Sequence, residues 1–325
     1  MQIGNLQLNG TPLFLAPMED VTDSAFRLIC KKLGADVVIS EFASSEALIR
    51  DVKQTQEKLK FDDKERPFGI QIFGNQADSM CEAARIAEKY KPDFIDINWG
   101  CPVKKVAGKG SGSGMLQNIP LLIHITRQVV NTTKIPVTVK TRLGWDETNK
   151  PIIDLAEQLQ DIGVQAISIH GRTRSMMYKG EADWTLIGKI KENPRITIPV
   201  IGNGDITHAD AALSAKQHYH VDGIMIGRGA IGNPWIFAAS KLLLEKNIIS
   251  PPPTIHERLS ICKQHFELCI KNKGEHYGIL IMRKHYKPYF KDLINFKETR
   301  IKLLTSNSLD EIRTIFQDIE KQYAT

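Results

Sequence analysis

The sequence predicts an α/β protein built as a (β/α)8 TIM barrel, followed by a small C-terminal all-α helical bundle. Two observations predict the barrel. Short runs of β-branched residues alternate with helical patterns over about 245 residues, and there are eight such runs. A third observation predicts the bundle, because beyond three consecutive prolines the apolar residues recur only at helical spacing.

The eight runs have the length and branching of buried parallel strands. They are Leu13–Ala16, Val37–Ser40, Gly69–Phe73, Phe94–Asn98, Val137–Lys140, Ala166–His170, Pro199–Gly202 and Gly223–Gly227.

Between the runs, apolar residues recur every three or four positions, which predicts amphipathic helices. The clearest are Ser24–Leu33, Asp78–Tyr90, Pro120–Val130, Ile152–Ile162, Ala209–Ala215 and Pro234–Leu244.

A doubly wound open sheet is the competing fold, and it normally carries a Gly-x-Gly-x-x-Gly turn after its first strand. Residues 16–22 do not supply that turn, so the barrel is favoured.

The chain therefore divides into a barrel over residues 1–245, a proline-rich linker over 246–254 and a helical domain over 255–325. Pro251–Pro253 define the linker, since consecutive prolines continue neither a helix nor a sheet. Capping-box patterns predict helix starts at Thr207, Thr254 and Ser308.

Composition places the chain among ordinary globular proteins, with 42% hydrophobic and 25% charged residues in 325. The N-terminus lacks the pattern of a secretory signal and no apolar run reaches membrane-spanning length, so we expect a cytoplasmic protein without a membrane partner. Five cysteines occur without a Cys-x-x-Cys or His-x-x-x-His pair, and we expect neither disulfides nor a metal. We also expect a monomer.

The positive charge is concentrated near the C-terminus. Residues 246–325 contain 14 Lys and Arg against nine Asp and Glu, and the whole chain carries +6. A polyanion docking on the helical domain and an ordinary solvated helical surface explain this excess equally well.

One thiol stands apart from the other four. Cys30, Cys81, Cys262 and Cys269 lie in helical apolar patterns, whereas Cys101 follows a strand and precedes a basic, glycine-rich loop. Most cysteines are buried structural thiols. The carboxyl end of a barrel strand is, however, where active sites are built, and this position favours a reactive role for Cys101.

The other strand ends carry polar and glycine residues that converge on the same mouth. Asn203–Asp205 and Gly227–Gly229 follow the seventh and eighth strands, where barrels commonly bind phosphate through backbone N–H groups. Arg228 adds a cation. Ordinary tight turns are the alternative, but two glycine turns at those two strands favour phosphate binding.

Three side chains inside the barrel need partners. Lys140 ends an apolar strand and requires an acceptor or an anion, such as a reduced flavin. His170 is either a satisfied core histidine or a cofactor contact, and its position beside Lys140 favours the second. Gln71 is either a buried, satisfied amide or a donor to a flavin ring, and both interpretations stay open.

These residues resemble the tRNA-dihydrouridine synthases, most closely the bacterial B-type branch, over essentially the whole chain. The motifs that carry the resemblance are Ala16–Met18, Asp96–Val106, Gly112-Ser113, Lys140 with Arg142–Trp145, His170–Thr173, Asn203–Asp205, Met225–Arg228 and Arg283–His285.

The resemblance implies an enzyme that binds FMN at the barrel mouth, accepts electrons from NADPH and reduces the C5=C6 bond of uridines in tRNA. It implies Cys101 as the catalytic acid, which gives a proton to C5 after hydride reaches C6. The FMN positions are Ala16, Pro17, Met18, Gln71, Lys140, His170, Asn203, Gly204, Asp205, Gly227 and Arg228. The RNA positions are Asn98 and Arg172 near the base, Lys104 and Lys105 in the mouth loop, and Arg283 and Lys284 in the helical domain.

Two other functions remain as alternatives. An FMN barrel acting on a small molecule, as a dihydroorotate-type dehydrogenase does, would not need a basic helical domain. A non-catalytic RNA-binding relative would not need Cys101, Lys140 and the phosphate loops.

Overall fold

A closed parallel barrel forms the larger part of the molecule, as seen in a computed structural model that describes residues 1–323. Its strands are numbered along the chain together with three short additional ones. They are β1 Gln2–Ile3, β2 Leu6–Gln7, β3 Leu13–Leu15, β4 Val37–Ile39, β5 Ala43–Ser44, β6 Phe68–Phe73, β7 Phe94–Trp99, β8 Val137–Arg142, β9 Ile167–His170, β10 Val200–Asn203 and β11 Gly223–Ile226.

The barrel order is β4, β3, β11, β10, β9, β8, β7 and β6, with β4 pairing to β6 to close the ring. All of these pairings are parallel. Each of the eight predicted runs corresponds to one barrel strand, with ends that differ by at most two residues, which confirms the predicted fold.

The short strands are additions that the pattern did not predict. β5 extends the edge of β6, and β1 pairs with β2 as an antiparallel hairpin. Ile3 of the hairpin is buried with Phe14 and Phe94, the side chains that fill the barrel at the amino ends of its strands. The hairpin therefore covers the end of the barrel opposite the mouth.

Helices surround the barrel and continue into the C-terminal part. They are α1 Ser24–Lys32, α2 Ser45–Ile49, α3 Lys53–Glu57, α4 Ala77–Lys89, α5 Lys104–Ala107, α6 Ile119–Thr132, α7 Ile152–Asp161, α8 Thr185–Glu192, α9 Ala209–Tyr219, α10 Ile236–Lys246, α11 Ile255–Lys273, α12 Glu275–Tyr289, α13 Lys297–Thr305 and α14 Leu309–Tyr323. The six predicted barrel helices all begin within two residues of their expected starts.

The predicted caps have mixed outcomes. Thr254 forms the expected capping box with Glu257 at the start of α11. At α9 the expected cap was wrong, because the ring of His208 rather than the hydroxyl of Thr207 accepts from the first turn. Ser308 accepts from the backbone of Glu311, while the Glu311 carboxylate bonds to Ser306 instead of closing the box.

The C-terminal helices share a hydrophobic core with the barrel. Residues 247–254 form neither helix nor strand, and α11 then packs along α1. Ala25 and Ile29 of α1 are buried in one cluster with Leu259 and Phe266 of α11. Ala324 and Thr325, the last two residues of the expected helical domain, lie outside the described residues.

Within the described part of the chain, no helix has both the length and the apolar character that crossing a bilayer requires.

Candidate active site

A cavity of about 740 Å³ opens at the carboxyl ends of the barrel strands. This volume falls in the range that holds a cofactor or a drug-sized molecule. Cys101 and Asn98 line it, and so do ten of the eleven predicted cofactor residues. These ten are Ala16, Pro17, Met18, Lys140, His170, Asn203, Gly204, Asp205, Gly227 and Arg228.

Cys101 lies on the wall of this cavity and is held through its backbone. Its N–H donates to Asn98 Oδ1 at 2.8 Å, and its carbonyl accepts from Ser113 Oγ at 2.8 Å. The side chain is 8% exposed, and burial raises the pKa of the thiol. Cys101 is therefore a protonated, positioned thiol at neutral pH, which suits a proton donor better than a nucleophile.

A chain of hydrogen bonds beneath the cavity supports the turn at residues 98–101, called the Cys101 turn below. Asn98 Nδ2 donates to Gln71 Oε1 at 2.9 Å, and Gln71 Nε2 donates to Asp96 Oδ2 at 2.6 Å. Thr138 Oγ1 donates to the other carboxylate oxygen at 2.5 Å. Because an ionised carboxylate only accepts, Asp96 sets the orientation of both amides. Asn98 is thereby turned with its oxygen toward the N–H groups of the Cys101 turn.

Gln71 is the predicted cofactor residue that the cavity does not reach. It is fully buried in β6, and both ends of its amide have side-chain partners. Burial raises the pKa of Asp96 to about 6, against the hydrogen bonds from Gln71 and Thr138 and the charge of Lys140, which lower it. The geometry favours the satisfied buried amide of the two interpretations of Gln71.

Lys140 places its ammonium at the cavity wall. Its Nζ donates to Asn203 Oδ1 at 3.3 Å, and among residues 1–323 no carboxylate lies within ion-pair distance of it. Burial, and secondarily the charge of Arg142, lowers the pKa of Lys140 to about 8. The side chain is thus still mostly charged at neutral pH, and within residues 1–323 its one hydrogen-bond partner is a neutral amide and not an anion.

His170 lines the same wall as a neutral ring. Burial first, and then the cations Lys140 and Arg142, hold its pKa far below the ordinary value. Its Nε2 lies 3.1 Å from Arg172 Nη1, and since a guanidinium only donates, Nε2 is the acceptor and Nδ1 carries the hydrogen.

Arg172, which the resemblance implies lies near the base, is not part of the cavity lining. Its guanidinium is 2% exposed and bonds to Asp205 at 2.7 and 2.8 Å and to the carbonyl of Gly180 at 2.6 Å. It holds Asp205 and the ring of His170, both of which line the cavity.

The turns after β10 and β11 bring backbone close to the cavity. Gly204 has a φ of +132°, and a Cβ there would lie 2.5 Å from that of Ala182. A Cβ on Gly229 would lie 2.2 Å from the carbonyl oxygen of Ile206. Glycine is therefore required for this close approach, and Arg228, whose side chain is 54% exposed, projects beside it.

The remaining predicted RNA residues lie outside the cavity. Lys104 and Lys105 are exposed on α5, beside the mouth, and form no ion pair among the residues described. Arg283 donates to the Ser306 carbonyl at 3.1 Å and to Asn307 Oδ1 at 2.8 Å. Lys284 donates to the backbone carbonyl of Asp20, in the loop that follows β3. The last two are therefore engaged in contacts within the protein.

Sequence reasoning left some residues of the site without a role. Arg142, which the motifs include at the end of β8, lines the cavity; its guanidinium bonds to the Gly100 carbonyl at 2.8 Å and lies over the ring of Tyr178. Asp96 and Thr138 were also missed as supports. A charged residue in the middle of an apolar strand was the available signal for Asp96.

A closed (β/α)8 barrel with a basic, glycine-rich mouth defines the class of protein, and solved structures share this fold. Morphinone reductase in complex with tetrahydroNAD matches with a TM-score of 0.53 and 13% identity, covering 78% of this chain and 91% of that chain. 2-Naphthoyl-CoA reductase matches with a TM-score of 0.57 and 11% identity, covering 73% and 51%. At these identities the likeness shows the fold alone.

Sequence relatives define the family. The family model described as dihydrouridine synthase matches residues 14–321. The tRNA-dihydrouridine synthase B of Pasteurella multocida is 39% identical over 293 residues, covering 90% of this chain and 87% of the relative. A probable tRNA-dihydrouridine synthase of Rickettsia conorii is 40% identical over 301 residues, covering 92% and 90%. The chain belongs to the dihydrouridine synthase family of oxidoreductases, which confirms the resemblance of its motifs.

Proposed function

We propose that this enzyme binds FMN in the barrel-mouth cavity, accepts electrons from NADPH and reduces the C5=C6 bond of uridines in tRNA. The observation that carries the proposal is a protonated thiol beside an ammonium that forms no ion pair among residues 1–323, both on the wall of one cavity. Cys101 follows β7 and Lys140 lies on β8, and these two strands are in register at Asn98 and Lys140.

The cavity fits a flavin phosphate. Its lining contains the cations Lys140, Arg142 and Arg228 against the carboxylates of Glu19 and Asp205. Arg172 already neutralises Asp205, so positive charge remains for an anion. The glycine turns after β10 and β11 would hold the phosphate through backbone N–H groups, with Arg228 beside it.

The isoalloxazine ring would lie against side chains at the carboxyl ends of β8, β9 and β3. Lys140 would stabilise negative charge on the ring, and the neutral His170 would offer its Nδ1 hydrogen. When bound, the flavin supplies the hydride. Ala16, Pro17 and Met18 would line the ring edge without adding charge.

Cys101 would hold the proton at Sγ and deliver it to C5 of the uracil. The raised pKa keeps the proton on the thiol until charge develops on the base. Asn98 and Ser113 hold the turn on both sides, so the thiol stays in place while the base enters. Arg142 is bonded to the Gly100 carbonyl and fixes the same turn from below.

A polyanion would be held by basic side chains outside the cavity. Lys104 and Lys105 lie at the mouth, and a second cleft of about 760 Å³ runs between α1, residues 57–64 and the end of α11. That cleft is lined by seven lysines against four carboxylates, and by Arg27, whose charge is already paired with buried Glu65. The lysines are Lys31, Lys32, Lys58, Lys60, Lys64, Lys271 and Lys273. Such a surface suits a folded RNA that must present a turned-out base to the mouth.

NADPH is proposed as the electron donor on the resemblance of the chain. Morphinone reductase, which shares the barrel, has been solved with tetrahydroNAD. A reduced nicotinamide reaching a barrel-mouth flavin is consistent with this fold.

The proposal is tested by loading purified protein with FMN and assaying unmodified tRNA with NADPH or NADH. We expect a flavin absorbance spectrum with one FMN per chain, faster bleaching with NADPH, and dihydrouridine in the tRNA by mass spectrometry. A protein that takes up no FMN would overturn the cofactor, and reduction of free uridine but not of tRNA would overturn the substrate.

A further inference from the structure

A cluster of buried polar side chains lies where the helical part meets the barrel. Asp23 precedes α1, His265 and Cys269 lie on α11, and His285 lies on α12. Asp23 is 7% exposed and the other three are fully buried. Their surroundings are aromatic, since Phe26 stacks on His265 at a centroid distance of 5.5 Å and packs against His285 at 5.1 Å.

The polar atoms of this cluster are only partly satisfied within the protein. Asp23 Oδ1 accepts from the backbone N–H of Phe26 and so caps α1, but Oδ2 has no hydrogen-bond partner among the residues described. His265 Nδ1 lies 3.2 Å from Tyr289 Oη, while Nε2 has no partner in residues 1–323. Both ring nitrogens of His285 are likewise unpartnered there.

Leaving these atoms unpaired is costly. A buried polar atom without a hydrogen-bond partner destabilises the fold, and four such atoms meet at this one contact. These atoms lie at the contact between the barrel and the helical part, where well-packed apolar side chains would have been more stable. A metal ion that accepts electron pairs from Asp23 Oδ2 and His265 Nε2 would give these two atoms a partner.

The geometry gathers metal ligands in one place. One potential ligand atom from each of Asp23, His265 and Cys269 lies within 4.8 Å of the others. His265 and Cys269 are four residues apart on α11 and therefore project from the same face. Tetrahedral zinc with thiolate and imidazole ligands has ligand–ligand edges of about 3.5 Å, so closing on an ion needs shifts of about 1 Å.

The donor set selects among metals. A thiolate, an imidazole and one carboxylate oxygen match zinc, whereas magnesium and calcium take oxygen ligands only. The contact from His265 Nδ1 to Tyr289 Oη is the kind of outer hydrogen bond that orients a metal-bound histidine.

We propose that Asp23, His265 and Cys269 bind a structural Zn²⁺ that joins the helical part to the barrel. His285 packs on His265 at a centroid distance of 4.6 Å but lies outside this group of three, so the fourth ligand is not assigned to it. Asp23 comes from the barrel and the other ligands from the helical part, so the ion crosslinks the two. The site lies apart from the barrel-mouth cavity and does not depend on the proposed cofactor.

Metal content of the wild-type protein is the first test. Protein purified without chelators should contain one zinc per chain by elemental analysis. After the zinc is removed, one equivalent of Co²⁺ should give the near-ultraviolet thiolate-to-metal band together with visible bands of tetrahedral intensity. Wild-type protein that holds no zinc and gives no thiolate band with Co²⁺ overturns the proposal, whatever the variants do.

Matched variants locate the ligand. Cys269→Ser and His265→Gln should lower zinc affinity at least 100-fold, and Cys269→Ser should abolish the thiolate band. Cys262→Ser is the control, because Cys262 is also buried on α11 but lies outside the cluster. It should keep both the zinc and the band. Loss of the band in the Cys262 variant but not in the Cys269 variant would also overturn the assignment.

Discussion

The buried amide of Gln71 connects the barrel interior to the Cys101 turn, and Gln71→Leu removes it at nearly constant volume. Two hydrogen bonds are lost, of 2.6 Å to Asp96 and 2.9 Å from Asn98. A bond to an ionised carboxylate is worth about 1.5–3 kcal/mol, and the orphaned Asn98 amide costs about 1–3 kcal/mol. We expect the free energy of unfolding at pH 8 to fall by roughly 3–5 kcal/mol.

The loss of unfolding free energy in Gln71→Leu should depend on pH, because Asp96 titrates. The pKa of this carboxyl is about 6 in the folded protein, above the value of about 3.9 for an exposed aspartate. Its contribution to stability is therefore present at low pH and lost as pH rises through 6. Without the bond from Gln71, the pKa rises further. At pH 5 only neutral bonds are lost, and the destabilisation should shrink to roughly 2–3 kcal/mol.

Urea denaturation at pH 5 and pH 8 measures both effects. Asp96→Asn is the control, because its amide oxygen can accept from Gln71 while its NH2 donates to the rotatable hydroxyl of Thr138. We expect this control to stay within about 1 kcal/mol of wild type at pH 8 and to lose the pH dependence. If Gln71→Leu left stability unchanged and only weakened FMN binding, Gln71 would be a cofactor ligand and not a support.

Two further substitutions test the surroundings of the cavity. Arg172→Ala removes a buried guanidinium whose Nη2 bonds to both oxygens of Asp205, and we expect roughly 3 kcal/mol of destabilisation by urea titration. Arg172→Lys should recover little of it, because one ammonium cannot also reach the Lys179 and Gly180 carbonyls and the ring of His170, and an unchanged midpoint would contradict this. The double variant Lys104→Ala, Lys105→Ala should weaken tRNA binding for all sequences. The fall of log affinity with log salt should become less steep, by up to roughly 1.5 in the slope, because two phosphate contacts are lost. An unchanged slope would mean that the RNA contact lies elsewhere.

The barrel was predictable because its signal is local. A buried parallel strand is an apolar run such as Phe94–Ile97, and the pattern repeats eight times with helices between. Position at a strand's carboxyl end then brought Cys101, Lys140, His170 and Arg228 to one cavity without any knowledge of distances. The N-terminal hairpin has strands of only two residues, too short for a periodic signal.

The site's supports were not predictable because they depend on which side chains meet across the fold. Gln71 and Arg172 carry the residue types of ligands, yet their polar groups are used by Asp96 and Asp205. The proposed zinc cluster shows the same limit. A search for paired ligands at zinc-finger spacing overlooks a site whose ligands come from Asp23 and from one turn of α11. Such contacts are fixed by packing and not by spacing along the chain.

The most direct test of the proposed mechanism is single-turnover reduction of tRNA by pre-reduced Cys101→Ala protein, with Cys81→Ala as the control. The thiol supplies only the proton, so FMN binding and reduction by NADPH should be unchanged. Dihydrouridine formation should fall by roughly 10²- to 10⁴-fold, the usual cost of losing a positioned proton donor, while Cys81→Ala keeps the wild-type rate. Formation of dihydrouridine at the wild-type rate by Cys101→Ala would contradict the account and assign the C5 proton to another group.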